Sequence, residues 1–248
     1  MRSSPLPTYP LARALLIALA TGLGQHLTLE VAQSLGRTLD GLVATTGVLA
    51  GALLGGLTLL GLCHASGLSP LLCPRRAPWK VHLLALLGSV LLLVTFAMLR
   101  LALTQLAAPK EWLVMVTSTP PVLLIFAFGL AAPALEEALF RGLLHEALCA
   151  RLPVPLALVV GALLFASAHG PSDALSFAEP FAAGLYLGLL RARTGSALPG
   201  LLAHASGNLL VMGLVAWGAP HQLGVVLTAQ LPQVPGILTT ALVPCIPI

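Results

Sequence analysis

The chain has 248 residues, of which 58% are hydrophobic and 8% charged, with a formal net charge of +4 and a mean hydropathy of +0.99. Soluble domains carry about 25% charged residues, and twelve basic plus eight acidic side chains do not coat a water-facing surface of this size. A soluble enzyme, a nucleic-acid binder and a disordered chain are thereby excluded, and an all-α, polytopic transmembrane helical bundle remains. A spanning helix needs roughly 20 apolar residues, so seven or eight spans occupy 1–248 as a single integral membrane domain. Any chemistry then sits in or beside the lipid bilayer.

Apolar runs separated by short polar breaks place spans at about 11–30, 41–63, 81–106, 114–151, 155–169, 177–190 and 198–218. A further apolar stretch at about 222–243 contains Pro232 and Pro235. The first stretch follows Arg2 and contains Arg13, yet the chain stays hydrophobic beyond it, so it reads as a first transmembrane helix rather than a cleaved signal peptide. On the second span Gly47, Gly51 and Gly55 repeat every four residues, which puts glycine on one face and admits a close helix neighbour. Gly184 and Gly188 do the same on the sixth. The fourth run is too long for one span and contains Pro120, Pro121 and Pro133, which predicts a kinked span or a second helix starting near Pro133.

Taken in span order, Arg2, Arg13, Arg75, Arg76, Lys80, Arg151, Arg191 and Arg193 fall on one side of the membrane. Arg37, Asp40, Lys110, Glu111, Asp173 and Glu179 fall on the other. The positive-inside rule makes the first side, and the N-terminus, cytoplasmic. Cys63, Cys73, Cys149 and Cys245 show no CxxC pair or metal-ligand spacing, so a disulfide framework is not expected.

Ionisable side chains inside a hydrophobic segment are expensive and mark functional sites. They cluster after Pro133, in Glu136-Glu137-Ala-Leu-Phe140-Arg141-Gly142. Glu137 and Arg141 are i and i+4 with the acid first, the better orientation for a pair. Glu136 points about 100° away around the helix and is left for another partner. Two further polar intrusions follow: Phe165-Ala-Ser-Ala-His169, and His204-Ala-Ser-Gly-Asn208, whose His and Asn share one helix face. A buried pair that merely staples helices and a packed histidine are the plain readings of each motif alone.

Depth arithmetic brings the first two motifs together. Glu136 lies 18 residues before Val154 and His169 lies 15 after it, about 27 Å and 23 Å along an antiparallel hairpin. His204 does not fit so easily, because it is only about 9 Å into a helix starting at Leu198. Either 191–199 dips into the membrane, or a helix is broken or strongly tilted.

At these residues the chain resembles the CPBP family, the CAAX protease and bacteriocin-processing family of intramembrane proteases, which includes type II CAAX prenyl endopeptidases. The family pattern EExxxR, FxxxH and HxxxN is present in order, within a region 110–218 of the membrane domain. The turn Arg193-Thr194-Gly195-Ser196 also looks like the family. The resemblance implies a glutamate-dependent endopeptidase. In it Glu136 and His169 activate a water, His204 and Asn208 stabilise the oxyanion, and Glu137 and Arg141, with Phe165, support the site. General chemistry agrees, since peptide hydrolysis needs a base and donors aimed at the developing oxyanion, and Ser167 and Ser206 have no dedicated base in the sequence.

No cofactor is required by such a mechanism. Zinc stays open as an alternative, held by Glu136, His169 and His204, although HExxH is absent. The expected partners are the bilayer and a membrane-embedded or membrane-anchored protein or peptide substrate, with no nucleic acid. Leu, Ala, Pro and Arg richness points to a bacterial inner membrane, and hence to bacteriocin or peptide precursors or C-terminal sorting tags as substrates. The alternative from another class is a non-catalytic membrane protein, either a bacteriocin-immunity scaffold or a transporter. Against transport, the intramembrane charge clusters lie only in the C-terminal half, where inverted repeats predict them in both.

Overall fold

A computed structural model describes residues 40–65, 77–104, 120–170 and 173–230. The expected first span at 11–30, the Arg75-Arg76 loop, Lys110 and Glu111, Cys73 and Cys245, and the apolar stretch beyond Gln230 lie outside the described residues. Those described are helical: α1 (Asp40–Ala65), α2 (Trp79–Thr104), α3 (Pro121–Cys149), α4 (Val154–Ala168), α5 (Ala174–Thr194) and α6 (Leu198–Gln230). Among them α2, α3 and the Leu198–Ala216 part of α6 are long and apolar enough to cross a membrane, and α4 is apolar but shorter.

The apolar residues are distributed as lipid contact demands. On α2, Leu84, Leu87, Leu91 and Met98 are exposed, and only 6% of its most apolar window is buried. So large an apolar face is not found on a soluble monomer. The inner face of α2 carries Ala85, Ser89 and Arg100. Tyr186 of α5 donates its hydroxyl to Ala85 O at 2.7 Å, and Ser89 donates to Ala203 O of α6 at 2.9 Å.

The glycine faces pack as expected. Gly47, Gly51 and Gly55 of α1 are buried while Leu53, Leu54 and Leu57 are exposed, and α1 lies against the first half of α3. Gly184 lets α5 approach α4 so closely that a Cβ there would lie 3.0 Å from Ala162 Cα.

The expected break near Pro133 does not occur. α3 is one continuous passage that alternates α-helical and π-helical turns: wide turns at Ile125–Ala131 and Ala138–Leu144 flank an α-helical stretch Ala132–Glu137. Proline clashes with the carbonyl four residues back and lacks an N–H. A wide turn just before it, where Ala132 N–H reaches back to Ala127 O, removes both conflicts without a break. α6 likewise runs unbroken through Pro220, so the stretch beginning at 222 starts as its continuation.

The depth problem at His204 is resolved by the first alternative, a turn folded inward. Gly195, at φ +65°, ends α5, and Ser196, Ala197 and Pro199 are buried. α6 therefore starts inside the protein rather than at its edge. Arg191, expected as a loop cation, is 3% exposed. Its charge is met by Glu146, so it is not part of the solvent-facing positive charge.

Candidate active site

α3 supplies the two acids from its α-helical middle, and their directions diverge as the 100° offset requires. Glu137 is fully buried. Its Oε1 accepts from Arg141 Nη1 at 2.9 Å and from His204 Nδ1 at 3.0 Å. Arg141 also donates to Gly184 O at 3.3 Å, and its guanidinium carbon lies 4.4 Å from the centre of the Phe165 ring. The pair is thus stitched to α5 and α6 and covered by an aromatic face.

Glu136 turns toward the other two motifs. Its Oε2 lies 3.9 Å from His169 Nε2 and 3.8 Å from His204 Nε2, and no protein group hydrogen-bonds it. α4 ends at Ala168, which leaves His169 at its C-cap with Nδ1 2.8 Å from Phe165 O. A carbonyl only accepts, so His169 Nδ1 carries the hydrogen. The same reasoning puts a hydrogen on His204 Nδ1, facing the Glu137 carboxylate. In the neutral rings both Nε2 lone pairs then face Glu136 Oε2. Three acceptors converging on one place are satisfied by a guest that brings hydrogens, such as a water, or by a shared proton.

A cavity of about 80 Å³ adjoins this point, lined by Leu135, Glu136, Leu139, Phe140, Ala168 and His169. A single water needs about 10–15 Å³ by this measure. Side-chain exposure falls from 38% at His169 through 23% at Glu136 and 11% at His204 to zero at Glu137. The site is therefore approached from the Glu136–His169 side and backed by Glu137 and Arg141. Phe165 forms its floor, 2% exposed, with ring centroids 4.6 Å from His169 and 5.9 Å from His204.

Asn208 sits one turn beyond His204 on α6. Its Nδ2 donates to Phe128 O at 2.9 Å, in the first wide turn of α3. One amide hydrogen therefore holds α6 to α3, and the second is left for other use.

The donors fit zinc poorly. Ligand atoms around a tetrahedral zinc, at about 2.0–2.1 Å from the ion, lie about 3.3 Å apart, closer than the 3.8 and 3.9 Å found between Glu136 Oε2 and the imidazoles. Among the described residues no three His, Cys, Asp or Glu side chains are grouped to hold a metal ion.

All seven residues expected from the motifs meet here. Two buried charges outside the motifs were not anticipated as such. Arg100, in the middle of an apolar span, pairs with Glu179 of α5 at 3.5 Å, and Arg191 pairs with Glu146. The only sequence signal for Arg100 is its lone charge among leucines. Glu146 and Arg191 lie at helix ends, where charge is ordinary.

Residues 118–210 match the family model described as type II CAAX prenyl endopeptidase Rce1-like. This agrees with the CPBP/CAAX protease family whose motifs the chain resembles, and the matched stretch contains all three. No curated protein matches the chain, and no solved structure does.

Proposed function

From the Rce1-like domain at residues 118–210, we propose that the protein is an intramembrane endopeptidase of the CAAX type that hydrolyses membrane-embedded or membrane-anchored substrates with a water activated by Glu136 and His169. The observation that carries the proposal is the convergence of Glu136 Oε2 with His169 Nε2 and His204 Nε2 at 3.8–3.9 Å beside a cavity that accommodates water.

In this reading the water oxygen attacks the scissile carbonyl carbon as Glu136 takes its proton. The oxyanion is met by His204, protonated at Nε2, and by the second N–H of Asn208. His204 as an imidazolium is balanced by Glu137, whose own charge is shared with Arg141. Collapse breaks the C–N bond, and the proton held at Glu136 passes, through His169, to the leaving amine. A carboxylic acid and an amine result. No step is routed through a metal. Phe165 holds the imidazoles apart from the lipid.

The substrates fitting this reading are precursor peptides and proteins that carry a C-terminal tag, cleaved in a bacterial inner membrane. The N-terminus is cytoplasmic in a bundle of seven or eight passages. The test is cleavage of quenched-fluorescent peptides of these classes, and of a prenylated CAAX peptide, by the full chain in liposomes. Glu136→Gln, which keeps volume and removes the base, should lower the rate by about 10²–10⁴-fold, the usual range for a general base. Undiminished cleavage by Glu136→Gln removes the proposal. A loss of activity in chelator that zinc restores replaces the metal-free form with a zinc-dependent one.

A further inference from the structure

Arg191 and Glu146 lie outside all three motifs, yet they form the second buried charge pair in contact with α3. The plain reading of Arg191 is a cation in the last turn of α5, where it complements the helix dipole. Its surroundings are different. It is 3% exposed, its Nε donates to the backbone carbonyl of Arg141 at 2.9 Å, and its Nη2 binds Glu146 Oε1. One guanidinium thus grips α3 at two heights, through a carbonyl of the second wide turn and through a side chain of the turn beyond it.

The turn between α5 and α6 links this grip to the site. Gly195 reverses the backbone. Thr194 Oγ1 accepts from Ser196 N at 3.1 Å, and Ser196 Oγ accepts from Leu198 N at 3.2 Å, so the turn is tied to itself at both ends. α6 then brings Gly200 against Glu137 Oε2, where an added Cβ would lie 3.1 Å away, and His204 comes one helical turn later. The residue gripped on α3 is Arg141, whose side chain holds Glu137, which in turn holds His204. The chain and the hydrogen bonds therefore form a closed circuit, Arg191 to Arg141 to Glu137 to His204 and back through the buried turn.

We propose that Arg191, oriented by Glu146, is a positioning residue that sets the height of the α5–α6 turn, and so holds His204 Nε2 in register with Glu136. The proposal rests on the catalytic reading above for its effect on rate, and on the hydrogen-bond circuit alone for its effect on His204. A guanidinium fork serves a carbonyl and a carboxylate together, whereas a lysine ammonium is a single point of charge on a flexible stem.

The experiment compares Arg191→Lys and Glu146→Gln in the full chain. Each is read by kcat and KM on a peptide the unaltered protein cleaves, by melting temperature in detergent, and by the ¹⁵N resonances of His204. Arg191→Lys keeps the charge for Glu146 and loses the carbonyl bond. Its kcat should fall by about 10–100-fold, as displacement of a catalytic group by around 1 Å does, with KM within about twofold. The His204 signals should move from a single Nδ1-protonated form to a tautomer mixture. Glu146→Gln keeps the Arg141 carbonyl bond, so the melting temperature should drop while kcat stays within about threefold and the His204 signals stay put.

Unchanged kcat and unchanged His204 resonances in Arg191→Lys overturn the proposal. So do losses of kcat that track melting temperature equally in both variants. If Arg191→Lys does not fold, Glu146→Asp draws the guanidinium one methylene aside with both charges kept. It should then reproduce the tautomer mixture, and its failure to do so overturns the proposal. Should the unaltered protein cleave no peptide, the catalytic reading fails by itself, and the His204 spectra still decide the positioning role.

Discussion

Glu137 Oε1 accepts from His204 Nδ1 at 3.0 Å, across 67 positions of chain, and the same oxygen is held by Arg141. The carboxylate beside it in sequence, Glu136, faces the opposite nitrogen of the same ring. Adjacent acids thus clasp one imidazole from two sides, with different partners behind them.

This arrangement separates the effects of the two acids on stability. Replacing Glu137 alone strands Arg141 as a buried cation, and breaking a buried pair costs about 3–5 kcal/mol. Replacing both Glu137 and Arg141 with neutral residues should cost less than the two single changes together, with a coupling of about 0.5–3 kcal/mol. Glu136→Gln should show no coupling to Arg141 and near-unaltered melting, because Glu136 Oε2 gives up no hydrogen bond. The measurement is a double-mutant cycle on thermal stability in detergent. Coupling of Arg141 to Glu136 instead of Glu137 reverses the two assignments.

Gly200 offers a steric probe of the same carboxylate. Gly200→Ala places a methyl 3.1 Å from Glu137 Oε2, and crowding of this kind costs about 1–3 kcal/mol. Gly213→Ala, on the same helix with nothing within 4 Å, should be neutral or stabilising by up to about 1 kcal/mol. Peptide cleavage should drop in the first and persist in the second. Equal behaviour of the two shows that Glu137 has no need of that space.

Orientation is testable at the two ends of α4 and α5. The positive-inside rule puts the exposed Arg151 and Arg193 on the cytoplasmic side and Ala174 on the other. With single cysteines in an otherwise cysteine-free chain, an impermeant maleimide added to intact cells should label position 174 and spare 151 and 193. Labelling of 151 from outside inverts the topology.

Acid should loosen the start of α5. Asp173 caps that helix, accepting from Ser176 N at 2.7 Å and Leu175 N at 2.8 Å. The Ser176 backbone bond foremost holds its carboxyl below the usual range, helped by the Ser176 hydroxyl, Leu175 N–H and the charge of Arg100. A carboxyl whose folded value lies below its unfolded one contributes fully above about pH 4 and loses that contribution as pH falls through the folded value. Amide exchange at 174–177, corrected for its intrinsic pH dependence, should lose protection in acid. Asp173→Asn, which caps without titrating, should flatten the response.

Contacts within one helix or one hairpin were legible in the sequence. The Glu137–Arg141 pair follows from spacing on α3, and the Glu136–His169 encounter follows from counting along α3 and α4. The glycine faces on α1 and α5 were legible for the same reason. His204 was not, because its depth depends on how far the α5–α6 turn folds inward, and that depends on the burial of Ser196, Ala197 and Arg191 by helices distant in sequence. Arg191 read as an ordinary helix-end cation until its partners were known. The wide turns of α3 escaped because Pro133 announces a conflict with α-helix geometry without saying whether a break or a widening answers it.

Each wide turn of α3 holds the chain as though one residue had been inserted into an ordinary helix. Deleting a residue from 125–131 would let that turn close to α geometry with its hydrogen bonds intact. The parts before and after would then be turned about 100° against each other. The part before is held by α1 and by Asn208 at Phe128, so the acids would swing from their imidazoles. In α2, whose outward face meets only apolar surroundings, the same loss is absorbed by tilt. The length of α3 is thus as much a determinant of the site as the identity of its side chains, and a one-residue deletion there acts like the loss of both glutamates at once.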